Sequence, residues 1–429
     1  MRNRIIIGCL LLGALSVGAQ EKPVTAADYK QKVLEYSRQI KQSAEERIAM
    51  QQAVKAAKTG FFPAVDFSGS YQYRINKYDL DFGSTAVPMD HNTYSLGATV
   101  SQPIYAGGQI YNSYKAAQVQ GQIASEAEEL TTDNIIYAAD LNYWSAAARK
   151  GMYDVMCQYV DIVQTLANIL TTRFEDGQIS KTDLLQVQSR LKEAELSKSS
   201  AYKDYQIALQ NLNVLMGVPP MTPVDIADSI TKVQPLPQHV GEEAALQNRP
   251  DFTISKLNIE YQKRQINLSK AKYNPTLAVG FQGTWGTPML NVKGSDQLWT
   301  PAVFASLKIP LFRWGARFKE VNSQKAILRS KEYAMDNTRD QISQEVANSW
   351  TSLTENTKQI KMAEEACQIA EENLDLNTFS YNEGKLPILD VLSAQLSWIQ
   401  SYSSLIQTWY QQKASLAQYN KAVGLRRLQ

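Results

Sequence analysis

SQPIYAGGQIYNSYKAAQ, residues 101–118, and KIPLFRWGARFKEVNSQKA, residues 308–326, read as one stretch written twice. Pro103 matches Pro310 and Gly108 matches Gly315, each at a shift of 207 residues. The same shift carries RFEDGQISKTDLLQVQ, residues 173–188, onto SYNEGKLPILDVLSAQ, residues 380–395, aligning Gly177 with Gly384, Asp183 with Asp390 and Gln188 with Gln395. Gly217 and Gly424 close the two copies in that register. Upstream, KTGFFPAVDFSGSY and KAKYNPTLAVGFQGTW match through Pro63 and Pro275 at a shift of 212, and the difference falls in a loop, where insertions are tolerated. Repeats fix an architecture before any local reading does. Each copy reads helix, strand, loop, strand, very long helix, turn, helix: residues 20–217 and 242–429, joined by a proline-rich linker at 218–241.

Four short segments alternate as strands. From Ala64 to Asn76, Val65, Phe67, Tyr71 and Tyr73 interleave with Asp66, Ser68, Ser70 and Gln72. Period two puts the apolar residues on one face and the polar ones on the other. Residues 93–102, 275–286 and 299–309 repeat the pattern, and about ten residues is the length of a strand that crosses a membrane. Alternation alone also fits half-buried strands of a soluble sheet. The helices are long: residues 110–171 and 316–378 contain no proline, and sixty helical residues reach about 90 Å. Val187, Leu191, Ala194 and Ala201, like Val346, Leu353, Ile360, Cys367 and Leu374, keep a seven-residue frame that packs helix on helix and carries no chemistry.

The 429 residues hold 44 Lys+Arg against 42 Asp+Glu, a balance that gives no support to nucleic-acid binding. Residues 1–19 read as an export signal: Arg2 and Arg4, an apolar run from Ile5 to Leu15, and a small-residue site at Val17-Gly18-Ala19. Cys9 comes too early for a lipoprotein acceptor, so an unlipidated N-terminus is expected. No later stretch supplies the ~20 consecutive apolar residues of a spanning helix, so contact with a membrane falls to the strands. Cys157, Cys367, His91 and His239 make no metal-ligand set, and no phosphate loop or nucleophile elbow is present. No cofactor, metal or enzymatic activity is expected.

The export signal, the doubled unit, the strand ends QPIYAGG and IPLFRWG, the two turns of form (F/Y)xxG with Asp six residues on, and ALQNRPD at 245–251 together resemble the TolC family of outer-membrane efflux proteins. The resemblance spans essentially the whole mature chain. It implies an α+β membrane protein: a homotrimer with four strands per protomer in one twelve-stranded outer-membrane β-barrel, continued by a long α-helical coiled-coil barrel across the periplasm. Four strands cannot close a barrel and open edges cannot face lipid, so association is also a physical requirement. Val65, Phe67, Tyr71, Tyr73, Leu96, Val100, Leu277, Val279, Phe281, Val303 and Leu307 are expected on the lipid side. Asp66, Gln72, Arg74, Thr284 and Ser306 are expected on the lumen side. Pro63, Pro103, Pro275 and Pro310 are expected at the strand–helix junctions, and residues 77–92 and 287–298 in outward loops.

By the same resemblance the turns at Gly177 and Gly384, with Lys385 and Leu386, form the periplasmic tip that meets an adaptor protein. Asp183 matches the family's gate-latching aspartate, Tyr381 the tyrosine that bonds it, and Asp390 the source of an acidic ring at the constriction. The latch arginine falls at Leu386, so that link is missing unless Lys385 supplies it. Ser180-x-x-Asp183 also reads as a capping box, and Asp390 sits where any carboxylate favours a helix start. The implied function is a passive exit duct for small molecules or proteins. It would serve a tripartite efflux pump or type I secretion system, with a periplasmic adaptor and an inner-membrane pump of RND, MFS or ABC type. The alternative is a trimeric structural or adhesive coiled coil without transport.

Overall fold

The computed structural model describes residues 23–76, 79–287, 292–294 and 296–427. The export-signal reading at 1–19, with Cys9, lies outside them. In chain order the elements are α1 (Ala26–Tyr36), α2 (Arg38–Thr59), β1 (Ala64–Tyr73), β2 (Asp79–Asp81), β3 (Ala86–Pro88), β4 (Asn92–Ala106), α3 (Gln109–Glu175), α4 (Lys181–Met216), α5 (Glu242–Asn248), α6 (Pro250–Ala271), β5 (Thr276–Gly286), β6 (Leu298–Lys308), α7 (Ala316–Asn382) and α8 (Ile388–Ala422). Two compact units result. One takes residues through Ser37 with Ile136–Pro237 and Ser352–Ala417; the other takes Arg38–Ile135, Gln238–Thr351 and Gln418 onward. Neither unit is one copy of the repeat, because α3 and α7 each contribute residues to both.

The second unit contains an antiparallel sheet in the order β1-β4-β5-β6. Registered partners lie on one face of a sheet. Val65, Val100, Phe281 and Val303 therefore form one apolar row across all four strands, and Leu96, Trp285 and Trp299 belong to another. The opposite face carries Asp66, Thr99 and Gln282 in one row and Ser68, Thr284 and Thr300 in the next. Flat aromatic packing explains the glycines: a Cβ on Gly283 would meet the Trp299 ring at 2.2 Å. The apolar face is open, with Phe67 75% and Val303 83% exposed.

The strands depart from the alternation at their ends. β1 stops at Tyr73, short of Asn76, while β4 runs on to Ala106. Pro103 accordingly lies inside β4 and not at its junction with α3. The register with β5 shifts between Pro103 and Tyr105, an irregularity that accommodates a residue with no N–H to give the ladder. Pro63 and Pro275 immediately precede β1 and β5, and Pro310 lies two residues beyond β6. The expected loop at 77–92 contains the small hairpin β2–β3, tied to residues 292–293 by the Met89–Val292 bridge and the Lys293 N–H to Pro88 O bond of 2.9 Å.

Arg249, in the ALQNRPD stretch, is buried in the same unit. Its guanidinium grips both oxygens of Asp251, reaches Glu345 Oε2 at 2.5 Å and donates to the Ala422 carbonyl at 3.4 Å. It thereby ties the start of α6 to α7 and the end of α8. In the first unit the linker is held as firmly. Lys150 Nζ lies 2.6 Å from Asp225 Oδ1, and this bond holds the Asp225 carboxyl below its usual range. Tyr143 donates to Asp228 at 2.8 Å, and Lys413 Nζ donates to the Lys232 carbonyl at 2.5 Å. Burial pushes the Lys413 ammonium below its usual range, while the Trp144 ring 4.4 Å away favours its charge. Gly217 ends α4 with φ +77°, packed so closely on Tyr36 that a Cβ would fall 2.1 Å from the ring.

Candidate functional site: the two helical turns

All four helix ends that make up the turns belong to the first unit. α3 reverses into α4 at Gly177 and α7 into α8 at Gly384, with φ of +69° and +72°. Gln178 N–H bonds Arg173 O at 2.8 Å and Gly177 N–H bonds Phe174 O at 3.0 Å; Lys385 and Gly384 repeat both bonds, at 2.9 and 3.0 Å, to Ser380 and Tyr381. This is the Schellman pattern, in which a left-handed glycine satisfies the last carbonyls of a helix.

Beyond the glycines the copies diverge. Ser180 caps α4: its hydroxyl oxygen accepts from Asp183 N–H at 3.2 Å and its O–H donates to Asp183 Oδ2 at 2.9 Å. The Asp183 carboxylate is thus engaged inside its own turn. The matching position before α8 is Pro387, which has no side chain to cap with, and Asp390 N–H bonds only back to Pro387 O at 3.2 Å. Asp390 is exposed. One carboxylate is tied down and its counterpart is left to face solvent.

Tyr381 is 8% exposed and lies under Arg173, whose guanidinium carbon sits 5.3 Å from the ring centroid. Arg173 also reaches Asn382 Oδ1 at 3.4 Å. The last turns of α3 and α7 are therefore side by side, held by a cation on an aromatic face. Leu386, where sequence reading found the latch arginine missing, is half-buried, and Lys385, its possible substitute, is exposed. The Arg173 contacts with Tyr381 and Asn382 were not read from the sequence. Arg173 begins the repeated stretch and is the basic residue in the last turn of α3, but its counterpart in the second copy is Ser380. Behind the turns a cavity of about 340 Å³ is lined by Leu166, Ile169, Asn382, Val391 and Gln395, among others. No group of His, Cys, Asp and Glu suited to a metal ion is found among the described residues.

The second unit thus holds a sheet with one open apolar face, and the first holds long helices that end in paired turns. The chain belongs to the outer membrane efflux protein family, whose match covers residues 30–218 and 243–425. That makes it an exit channel of the outer membrane. Its relatives include the proteases secretion protein PrtF of Dickeya chrysanthemi, 20% identical over 96% of this chain and 90% of that one. Nodulation protein T of Rhizobium leguminosarum bv. trifolii is 24% identical over 68% and 67% of the respective chains. Among solved structures, a Pseudomonas aeruginosa membrane protein aligns with TM-score 0.81 at 16% identity, covering 93% of each chain. The outer membrane protein VceC of Vibrio cholerae aligns with TM-score 0.79 at 16% identity, over 93% of this chain and 96% of that one. At such identities the structures speak for the fold alone.

Proposed function

We propose that three copies of this chain close one twelve-stranded barrel and one helical tunnel, and that the assembly is the passive exit duct of a tripartite efflux pump or type I secretion system. The observation that carries this reading is the sheet. Its apolar face is open across all four strands, while β1 pairs only with β4 and β6 only with β5. Open edges are untenable in a bilayer, so the outer side of each edge strand needs a strand from another copy. Three copies of four strands give an even-numbered antiparallel barrel.

The turns then form the periplasmic tip. Gly177, Gly384, Lys385 and Leu386 present its surface to a periplasmic adaptor, through which an inner-membrane pump of RND, MFS or ABC type supplies the driving force. Asp390, exposed and uncapped, projects three carboxylates towards the three-fold axis and selects cations. Tyr381, its ring under Arg173, holds the resting gate beside the capped Asp183. The name of PrtF, a proteases secretion protein, and that of AprF, an alkaline protease secretion protein, weigh towards protein cargo.

Planar-bilayer conductance of the purified protein tests this, with wild type beside Asp390→Ala, with and without a trivalent cation. A small cation-selective conductance that the cation blocks only in the wild type supports both the duct and its constriction. Conductance indifferent to Asp390 removes the selectivity site. A sealed trimer that conducts under no condition, even with the tip contacts cut, leaves the structural coiled coil.

A further inference from the structure

Gly151 is the one glycine in the part of α3 that belongs to the first unit. Inside a helix a glycine is less stable than an alanine. Close packing does not demand it here: a Cβ would meet Ile230 Cγ2 at 3.7 Å and Ile406 Cδ1 at 3.8 Å, which is ordinary contact. What the missing side chain leaves is room. Gly151 lies in the wall of a cavity of about 360 Å³ between α3, α8 and the linker segment 226–231, all within the first unit.

Most polar groups of the lining are already used. Asp228 accepts from the Tyr143 hydroxyl at 2.8 Å and from the Ala26 N–H at 2.7 Å, and Ser229 and Thr231 share a hydrogen bond of 2.8 Å. Lys150 gives its ammonium to Asp225 at 2.6 Å and to the Ile226 carbonyl at 3.2 Å. The Tyr402 hydroxyl lies near Cys367 and Glu371 of α7, and the Gln158 amide is exposed at the rim. Two groups are left over. Trp409 is 8% exposed, yet its Nε1–H finds no acceptor among the described residues, a costly state for a buried donor. Asp154, exposed at the mouth, has no bonded cation, because Lys150 is committed to Asp225. Burial and then the Asp225 charge push the Asp154 carboxyl above its usual range against the pull of Lys150. The bases beyond the lining do not supply the missing charge: Arg149 pairs with Asp204 at 3.7 Å, Lys413 bonds the Lys232 carbonyl, and Lys232 itself is exposed.

We propose that this cavity is a binding site for a small amphiphilic amine that also carries a hydroxyl or carbonyl oxygen. Its ammonium sits on Asp154 at the mouth, its oxygen accepts from Trp409 Nε1–H, and its apolar body lies against Ile230 and Ile406 in the room that Gly151 leaves. At the packing density of a protein interior the cavity holds about 270 Å³ of ligand, enough for an aromatic amino alcohol or an amino-acid amide. The site depends neither on barrel closure nor on the helical turns.

Phenylalaninol is a suitable probe, beside 3-phenylpropan-1-ol, which lacks the amine, and phenethylamine, which lacks the hydroxyl. Each is titrated into the purified full chain in an uncharged detergent and followed by saturation-transfer NMR. Gly151→Leu, whose side chain fills the cavity, gives the baseline for partition into detergent; Gly151→Ala, whose methyl meets only ordinary contacts, keeps the comparison valid where the larger side chain disturbs folding, and should weaken phenylalaninol severalfold. Wild type is expected to prefer phenylalaninol to 3-phenylpropan-1-ol about tenfold, and Asp154→Asn should remove that preference while leaving the alcohol unchanged. Trp409→Phe should weaken phenylalaninol and spare phenethylamine, a split that lost packing alone would not give. Saturation transfer that is equal in wild type and both Gly151 variants overturns the site. So does a wild type without preference for the amine, or a preference that survives Asp154→Asn. Each of these results leaves the exit duct standing.

Discussion

Tyr381 offers two handles, and they can be cut separately. Its ring lies 5.3 Å from the Arg173 guanidinium carbon, whereas its hydroxyl is the group that the expected bond to Asp183 across neighbouring helices requires. Arg173 is half-buried, so a cation on this ring contributes on the order of 1 kcal/mol. The 3.4 Å bond to Asn382 is too long to add much. In the proposed trimer, three protomers together lose ~3 kcal/mol when the pair is removed, and at about 1.4 kcal/mol per decade the proposed closed state loses roughly two orders of magnitude against the open one. Tyr381→Leu and Arg173→Gln should therefore raise the open probability in planar bilayers by about a hundredfold. Both should also admit large hydrophilic antibiotics to cells at equal surface expression. Tyr381→Phe keeps the ring and should stay near wild type. If Tyr381→Phe leaks as much as Tyr381→Leu, the hydroxyl carries the latch and the ring does not. If Arg173→Gln is tight, the cation–ring pair is only packing.

Three further outcomes follow. Gly177→Ala and Gly384→Ala should each cost about 1–2 kcal/mol from the left-handed backbone alone, since a Cβ there meets nothing within 4 Å. Gly217→Ala should cost more because Tyr36 must move, and thermal unfolding followed by circular dichroism ranks the three. Val303→Lys, on the open apolar face opposite Phe281, should cost about 2–4 kcal/mol per protomer at mid-bilayer depth and abolish the heat-modifiable trimer band; an intact band would take that face out of the lipid. Lys413 has a folded pKa below its usual value of 10.5, so the unfolded chain holds more protons between the two and stability should rise with pH across that window. Lys413→Met should flatten the slope, and denaturant titrations from neutral pH to pH 10 read it.

The strands were legible because alternation is a local property: each residue's face is set by its parity along the chain, and the registered rows of Val65, Val100, Phe281 and Val303 follow. The glycine turns were legible for the same reason, since a left-handed position announces itself in one residue. What escaped was non-local. Nothing in ALQNRPD says that Arg249 will find Glu345 and the end of α8, and nothing in RFEDG says that Arg173 will lie on a tyrosine from the other copy. Pro103 misled in the opposite direction. A proline suggests a strand end, but one register shift lets β4 continue past it to Ala106.

The duplication also bears on how the proposed assembly closes. Each half of the repeat contributes one edge strand to the sheet, β1 from the first and β6 from the second. Two free edges of different sequence are not self-complementary, so the proposed association runs head to tail and closes as a ring. Ring symmetry then gives the differences between the copies a functional direction. Ser180 ties Asp183 into its own turn, whereas Pro387 leaves Asp390 free. Exchanging these two residues, Ser180→Pro with Pro387→Ser, should move the free carboxylate from one turn to the other without touching either aspartate. The trivalent-cation block should weaken while the conductance persists; a block unchanged by the exchange would mean that capping does not govern which carboxylate faces the axis.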